Sequence, residues 1–120
     1  MKEERVYLGH ILDAINDIRT YALVGEEAFL VDRMRQDAII RKLEIIGEAV
    51  KRLSDETRTR QPHIPWKQIA GLRDRLAHDY FAVDLGLVWR VVERDLQMLD
   101  TAIRTLLMES NMGNLPGDRG

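Results

Sequence analysis

Apolar residues recur every three or four positions along most of the chain, and strict alternation is scarce, a pattern that predicts an all-α protein. Leu8, Ile11, Leu12, Ile15, Ile18 and Ala22 form the first stripe, setting a helix from about Glu4 to Leu23 that Gly25 is placed to end. Glu26 to Val31 reads as a short connector. Asp32 can then cap a second long helix reaching Leu53, with Ile39, Leu43, Ile46, Val50 and Leu53 on one face. Ala38, Ile45 and Ala49 widen that face, and Gly47 within it would let another helix approach closely, so this helix is expected at the centre.

Ser54, followed by Asp55 and Glu56, predicts a capped short helix that Pro62 ends. Pro65 suits the first position of the next helix, expected from Trp66 to about His78. Asp84 is placed to cap the last helix, where Leu85, Val88, Val92, Leu96, Leu99, Ile103 and Leu106 hold one stripe over six turns. Trp89, Val91, Met98 and Leu107 lie off that stripe and need a cover: another helix of the bundle, a second copy of the chain, or both. The expected organisation is a single helical domain over residues 1–110 and a flexible tail over 111–120, where the sequence is NMGNLPGDRG.

Composition narrows the chemistry. In 120 residues, 45% are hydrophobic and 32% charged, enough for one buried core. There is no cysteine, which removes disulfides, thiol nucleophiles and cysteine-based zinc sites. No apolar run is long enough to span a bilayer, and MKEERVYLGH lacks the apolar centre of a signal peptide, so a cytoplasmic protein with no membrane association is expected. The net charge is −2, yet residues 51–75 carry seven basic groups against three acidic ones, and each flank sums to −3. That basic segment either holds a phosphate backbone or is a solvated helix face; both readings fit.

Chemistry-bearing residues gather in GLRDRLAHDYF, residues 71–81. Arg73, His78 and Tyr80 form the pattern Arg-x-x-x-x-His-x-Tyr, which combines a fixed cation, a side chain titrating near neutrality and a phenol. In RNA the 2′-hydroxyl is an internal nucleophile, so cleavage requires only proton transfer and stabilisation of a crowded phosphorane. His10, His63 and His78 lie in different segments without ligand-like spacing, so no metal site is expected. On a helix Arg73 and His78 are separated by ~140° and ~7.5 Å. Either the helix unwinds near His78, or two copies share a cleft across a two-fold axis. Asp74 falls four residues before His78, where its carboxylate could orient the imidazole. Lys67 and Arg75 read either as phosphate contacts or as ordinary surface charges. Spacing alone does not assign catalysis. A histidine near a helix end is more often structural, as His10 and His63 are read to be, Tyr80 packs as an aromatic with an exposed hydroxyl, and Trp66 and Trp89 read as core or interface anchors.

RKLEIIGEAVKRL at residues 41–53, Ile64-Pro65-Trp66, and GLRDRLAHDYF followed by VDLGLVW occur in one order along the chain. In this it resembles the HepT-like toxins of the HEPN superfamily over about residues 3–108. The resemblance implies a HEPN-type up-and-down bundle of four main helices plus a short one, assembled as a two-fold homodimer. It further implies a metal-independent ribonuclease toxin of a type VII-like toxin–antitoxin pair, with an RNA substrate and no cofactor. By the same resemblance Arg73 and His78 are catalytic, Asp74 is the variable polar neighbour, and Tyr80 is the motif tyrosine. A small MNT-type nucleotidyltransferase antitoxin would silence the protein by attaching AMP to Tyr80. The rival reading is a non-catalytic dimerisation or nucleotide-binding module that partners the nucleotidyltransferase.

Overall fold

Side-chain caps divide the chain where the sequence predicts. The computed structural model describes residues 2–72, 74 and 84–113, and all regular structure among them is helical. Helix α1, Lys2–Tyr21, continues as a 3-10 turn over Ala22–Val24 and stops at Gly25. The φ of Gly25 is 90°, a conformation that only glycine adopts without strain, and its N–H closes the turn on the Ala22 carbonyl at 3.0 Å.

The expected connector is instead a helix, α2, Glu26–Val31. Phe29 is fully buried and meets the Trp89 ring at 5.3 Å between centroids, which draws the segment onto the bundle, while Glu26 and Glu27 suit the positive end of a first helical turn. Asp32 then accepts from the Arg35 backbone N–H at 3.2 Å and starts α3, Arg33–Lys51. This helix ends two residues before the expected Leu53, which remains buried in the turn that follows. Ser54 caps α4, Asp55–Thr59, through the Thr57 N–H at 3.1 Å.

Three polar ties give the direction of packing. Arg35 reaches the Tyr21 carbonyl at 2.9 Å, Lys42 pairs with Asp17 at 2.8 Å, and Glu4 accepts from the Ser54 N–H at 2.5 Å, so α3 runs antiparallel to α1. The same carboxylate takes the Thr57 hydroxyl at 3.0 Å. Burial pushes the Glu4 pKa up, but donation from Ser54 and Thr57 outweighs it and holds the group below its ordinary value. Donation to Asp17 raises the Lys42 pKa.

Helix α5, Trp66–Ala70, is shorter than expected. Pro65 sits at its N-cap rather than at its first position, and a turn at Gly71 interrupts the predicted run to His78. The backbone is helical again at Leu72 and Asp74, and the remainder of that predicted helix lies outside the described residues.

Asp84 caps the last column by accepting from Leu87 N–H at 3.1 Å, as expected. That column is not one uniform helix. It comprises α6, Leu85–Arg90, a π-helical segment over Val91–Asp95, and α7, Leu96–Gly113. The wider π turns rotate the apolar stripe: Val88 and Trp89 are buried before the segment and Leu96 and Leu99 after it, while Val92 is only half-buried. Helix also covers Asn111 to Gly113, where a tail was expected.

Asp100 of α7 is the one buried charged group among the described residues, 5% exposed, and it accepts from Arg19 of α1 and from Arg104 one turn further along α7. Burial raises its pKa, yet the donors and charges of Arg104 and Arg19 prevail and hold it below the ordinary carboxylate value. Ile11, Ile15 and Ile18 of α1 meet Ile39, Ile46 and Val50 of α3 and Ile103 of α7 in one buried cluster. Each such side chain contributes about 1.5–3 kcal/mol by leaving water. Among the described residues no helix is long and apolar enough to cross a membrane.

Candidate functional site

Trp66 fixes how the chain approaches the Arg-x-x-x-x-His-x-Tyr stretch. Its ring is buried, and its indole N–H is shared between the Arg58 and Gln61 carbonyls, both at 3.0 Å, which ties α5 to the end of α4. The prolines on either side of His63-Ile64 limit the backbone there, and Ile64 is buried as a second anchor. On the far side of the stretch, the Asp84 cap sets the start of α6.

Between these two anchors lies a cavity of about 640 Å³. Leu43 and Ile46 of α3 line it, with Ile69 of α5 and Val88 and Leu99 of the last column. Leu72 and Asp84, which bracket the motif in sequence, both line it as well. Its polar groups among the described residues are His63, Gln68, Asp84 and Asp95. A cleft of this size, mostly apolar with a few polar groups, is the ordinary form of a binding site.

Arg73, Arg75, His78 and Tyr80 lie outside the described residues, so their mutual geometry does too. Asp74 is exposed. Lys67 is exposed on α5 and forms no ion pair among the described residues, which leaves it available to an anion.

The basic segment divides into two uses. Arg58 donates twice to the Leu53 carbonyl, at 3.2 and 2.9 Å, and Arg60 lies 3.4 Å from Glu56 and 3.9 Å from Glu109, so both brace the scaffold. Lys51 and Arg52 remain on the surface. Sequence reasoning passed over two groups at the cavity. His63 was read as structural because it stands alone between prolines, and Asp95 falls on the π segment, whose irregular turn carries no spacing signal. His10 is exposed and packs edge-on to Tyr7 at 5.9 Å, on α1 and not among the cavity residues. Among the described residues no three histidine, aspartate or glutamate side chains gather into a ligand-like group.

The family model for Ribonuclease HepT-like proteins matches residues 11–106. A Methanocaldococcus jannaschii protein, named as a gamma-glutamylcyclotransferase with a provisional RNase assignment, is 45% identical over 90% of this chain. The chain spans about half of that protein, 49% of its length. A provisionally named RNase of Caldanaerobacter subterraneus subsp. tengcongensis is 38% identical, the alignment covering 91% of this chain and 98% of the relative. A Thermococcus cleftensis protein named Probable ribonuclease HepT is 39% identical over 82% of this chain and 90% of its own length. No solved structure matches the chain. With most of its length under the family model and relatives aligned over nearly their full extent, the chain belongs to the HepT-like ribonuclease family.

Proposed function

We propose that the protein is a metal-independent endoribonuclease that acts as a two-fold dimer, the toxin of a toxin–antitoxin pair. The observation that carries this reading is the complete Arg73, His78, Tyr80 set in a chain of this family. In the proposed reaction the RNA 2′-oxygen attacks the adjacent phosphorus, and the bond from phosphorus to the 5′-oxygen breaks. His78 takes the 2′-hydroxyl proton, and solvent water protonates the leaving 5′-oxygen. Arg73 neutralises the charge that builds on the phosphorane, and Asp74 orients the imidazole. A shared cleft would bring one Arg73 and one His78 from each copy to a single scissile phosphate, answering their ~140° separation on one helix. Exposed Lys67, with Arg75, then meets the flanking phosphates.

Regulation follows from Tyr80. A nucleotidyltransferase partner would transfer AMP from ATP to the phenol oxygen, releasing pyrophosphate, and the adduct would place negative charge and bulk two residues from His78. The rival module without catalysis has no use for Arg73 and His78 together. The test is cleavage of RNA by the purified chain in excess chelator, followed by analysis of the ends. A 2′,3′-cyclic phosphate or its hydrolysis product is expected, absent from Arg73→Ala and His78→Ala proteins of unchanged helicity. Activity that disappears with chelator and returns with a divalent ion would overturn the metal-independent reading.

A further inference from the structure

Five of the nine strongly exposed large apolar side chains among the described residues fall between residues 23 and 34. Leu23, Val31 and Met34 are 83%, 85% and 85% exposed, and Val24 and Leu30 are 44% and 41% exposed. All lie at the corner joining α1 to α3, and none borders the cavity. This corner is built rather than loose. Phe29 plugs it into the core, Arg35 satisfies the Tyr21 carbonyl, and Gln36 satisfies the Phe29 carbonyl at 2.9 Å, so the apolar side chains stand on a backbone held from behind. A concentration of exposed apolar residues on a rigid base marks an interaction surface, because little ordering entropy is lost when a partner covers it.

Charge selects the partner. Residues 21–38 carry Glu26, Glu27, Asp32 and Asp37 against Arg33 and Arg35, a net of −2 that is the same once the Arg35–Asp32 pair is set aside. A two-fold copy would set this negative rim against itself, and an anionic membrane would be repelled by it. We propose that the corner docks a different protein, one presenting an apolar helical face bordered by lysine or arginine. The role is separate from cleavage and stands whether or not the chain cuts RNA.

The test uses the full chain and a short labelled amphipathic helical peptide of leucine and lysine, with a leucine and glutamate peptide as its charge-reversed control. The basic peptide is expected to bind at least about tenfold more tightly than the acidic one. Val31→Gln with Met34→Gln leaves the charge unchanged and should weaken its binding by at least about tenfold, and Leu23→Gln should weaken it in the same direction. Because these side chains are exposed, circular dichroism should show unchanged helicity. Equal affinity for the two peptides, or binding that survives the corner changes but is lost in Leu87→Gln with Met98→Gln at the cavity, would overturn the assignment. So would a corner variant that turns a dimer into a monomer by light scattering, which would give the surface to a second copy, or tight binding of the chain to anionic phospholipid vesicles.

Discussion

Asp100 shows how a single residue can hold the bundle and set its acid limit. Its carboxylate is buried, takes donors from two arginines, and is held below its ordinary pKa, so its folded form prefers to be charged. A lowered folded pKa contributes stability that is complete at neutral pH and fades as the pH falls below about 4. Glu4, lowered by its Ser54 and Thr57 donors, adds to the same acid limb. Asp100→Asn should cost about 1–3 kcal/mol at neutral pH, the lower end being favoured by the solvent exposure of Arg19 and Arg104, and the loss should shrink at acid pH. Urea unfolding at both pH values measures this, and an undiminished difference in acid would contradict it. Trp89 behaves oppositely. Its indole N–H is buried without a hydrogen-bond partner among the described residues, so Trp89→Phe gives up ring area but also removes a desolvation penalty. That change should be milder than Phe29→Ala, which empties the other half of the pair and should cost about 3–5 kcal/mol.

Elements begin and end where local chemistry is strong. Asp32, Ser54 and Asp84 were legible as caps because each acts on a backbone N–H within three residues, and all three do so. Ser54→Ala should therefore cost about 1 kcal/mol in thermal or urea unfolding. Gly25→Ala should cost about 1–3 kcal/mol although nothing crowds the added carbon, because the penalty is the positive φ itself; a stability gain would show that the corner relaxes. Less legible was α2, since six residues are fewer than two turns and its reason for being helical is Phe29 meeting Trp89, sixty positions away. The π segment was hidden because a three-and-four apolar spacing tolerates one widened turn without losing its rhythm.

At the scale of the whole molecule, the all-α architecture and the buried stripes of α1, α3 and α7 could be read from periodicity, because each is long enough to repeat its pattern. The cavity could not, since it joins α3, the His63 to Leu72 region and the last column, which are distant in sequence. The motif was legible as a set of residue types, whereas the roles of its members came from resemblance. If two chains share one cleft, mixing Arg73→Ala chains with His78→Ala chains should give cleavage that neither parent shows when the two residues of a productive site come from different copies. Complete inactivity of verified mixed dimers would place both residues of a site on one chain. Tyr80→Phe should escape silencing when co-expressed with the partner nucleotidyltransferase, with intact-mass and peptide mapping reporting the AMP; modification at Tyr7 or Tyr21 instead would reject that regulation.

The contrast between the two tryptophans extends beyond stability. Trp66 shares its N–H between two carbonyls, while the buried Trp89 N–H has no hydrogen-bond partner among the described residues, so their fluorescence should differ, with the Trp89 emission shifted to the blue. Trp89 meets Phe29 at the corner and directly follows Val88, a residue of the cavity wall, in α6. A Trp66→Phe protein would then carry a single built-in optical probe, through which ligands at either surface could be followed in real time without attaching a dye.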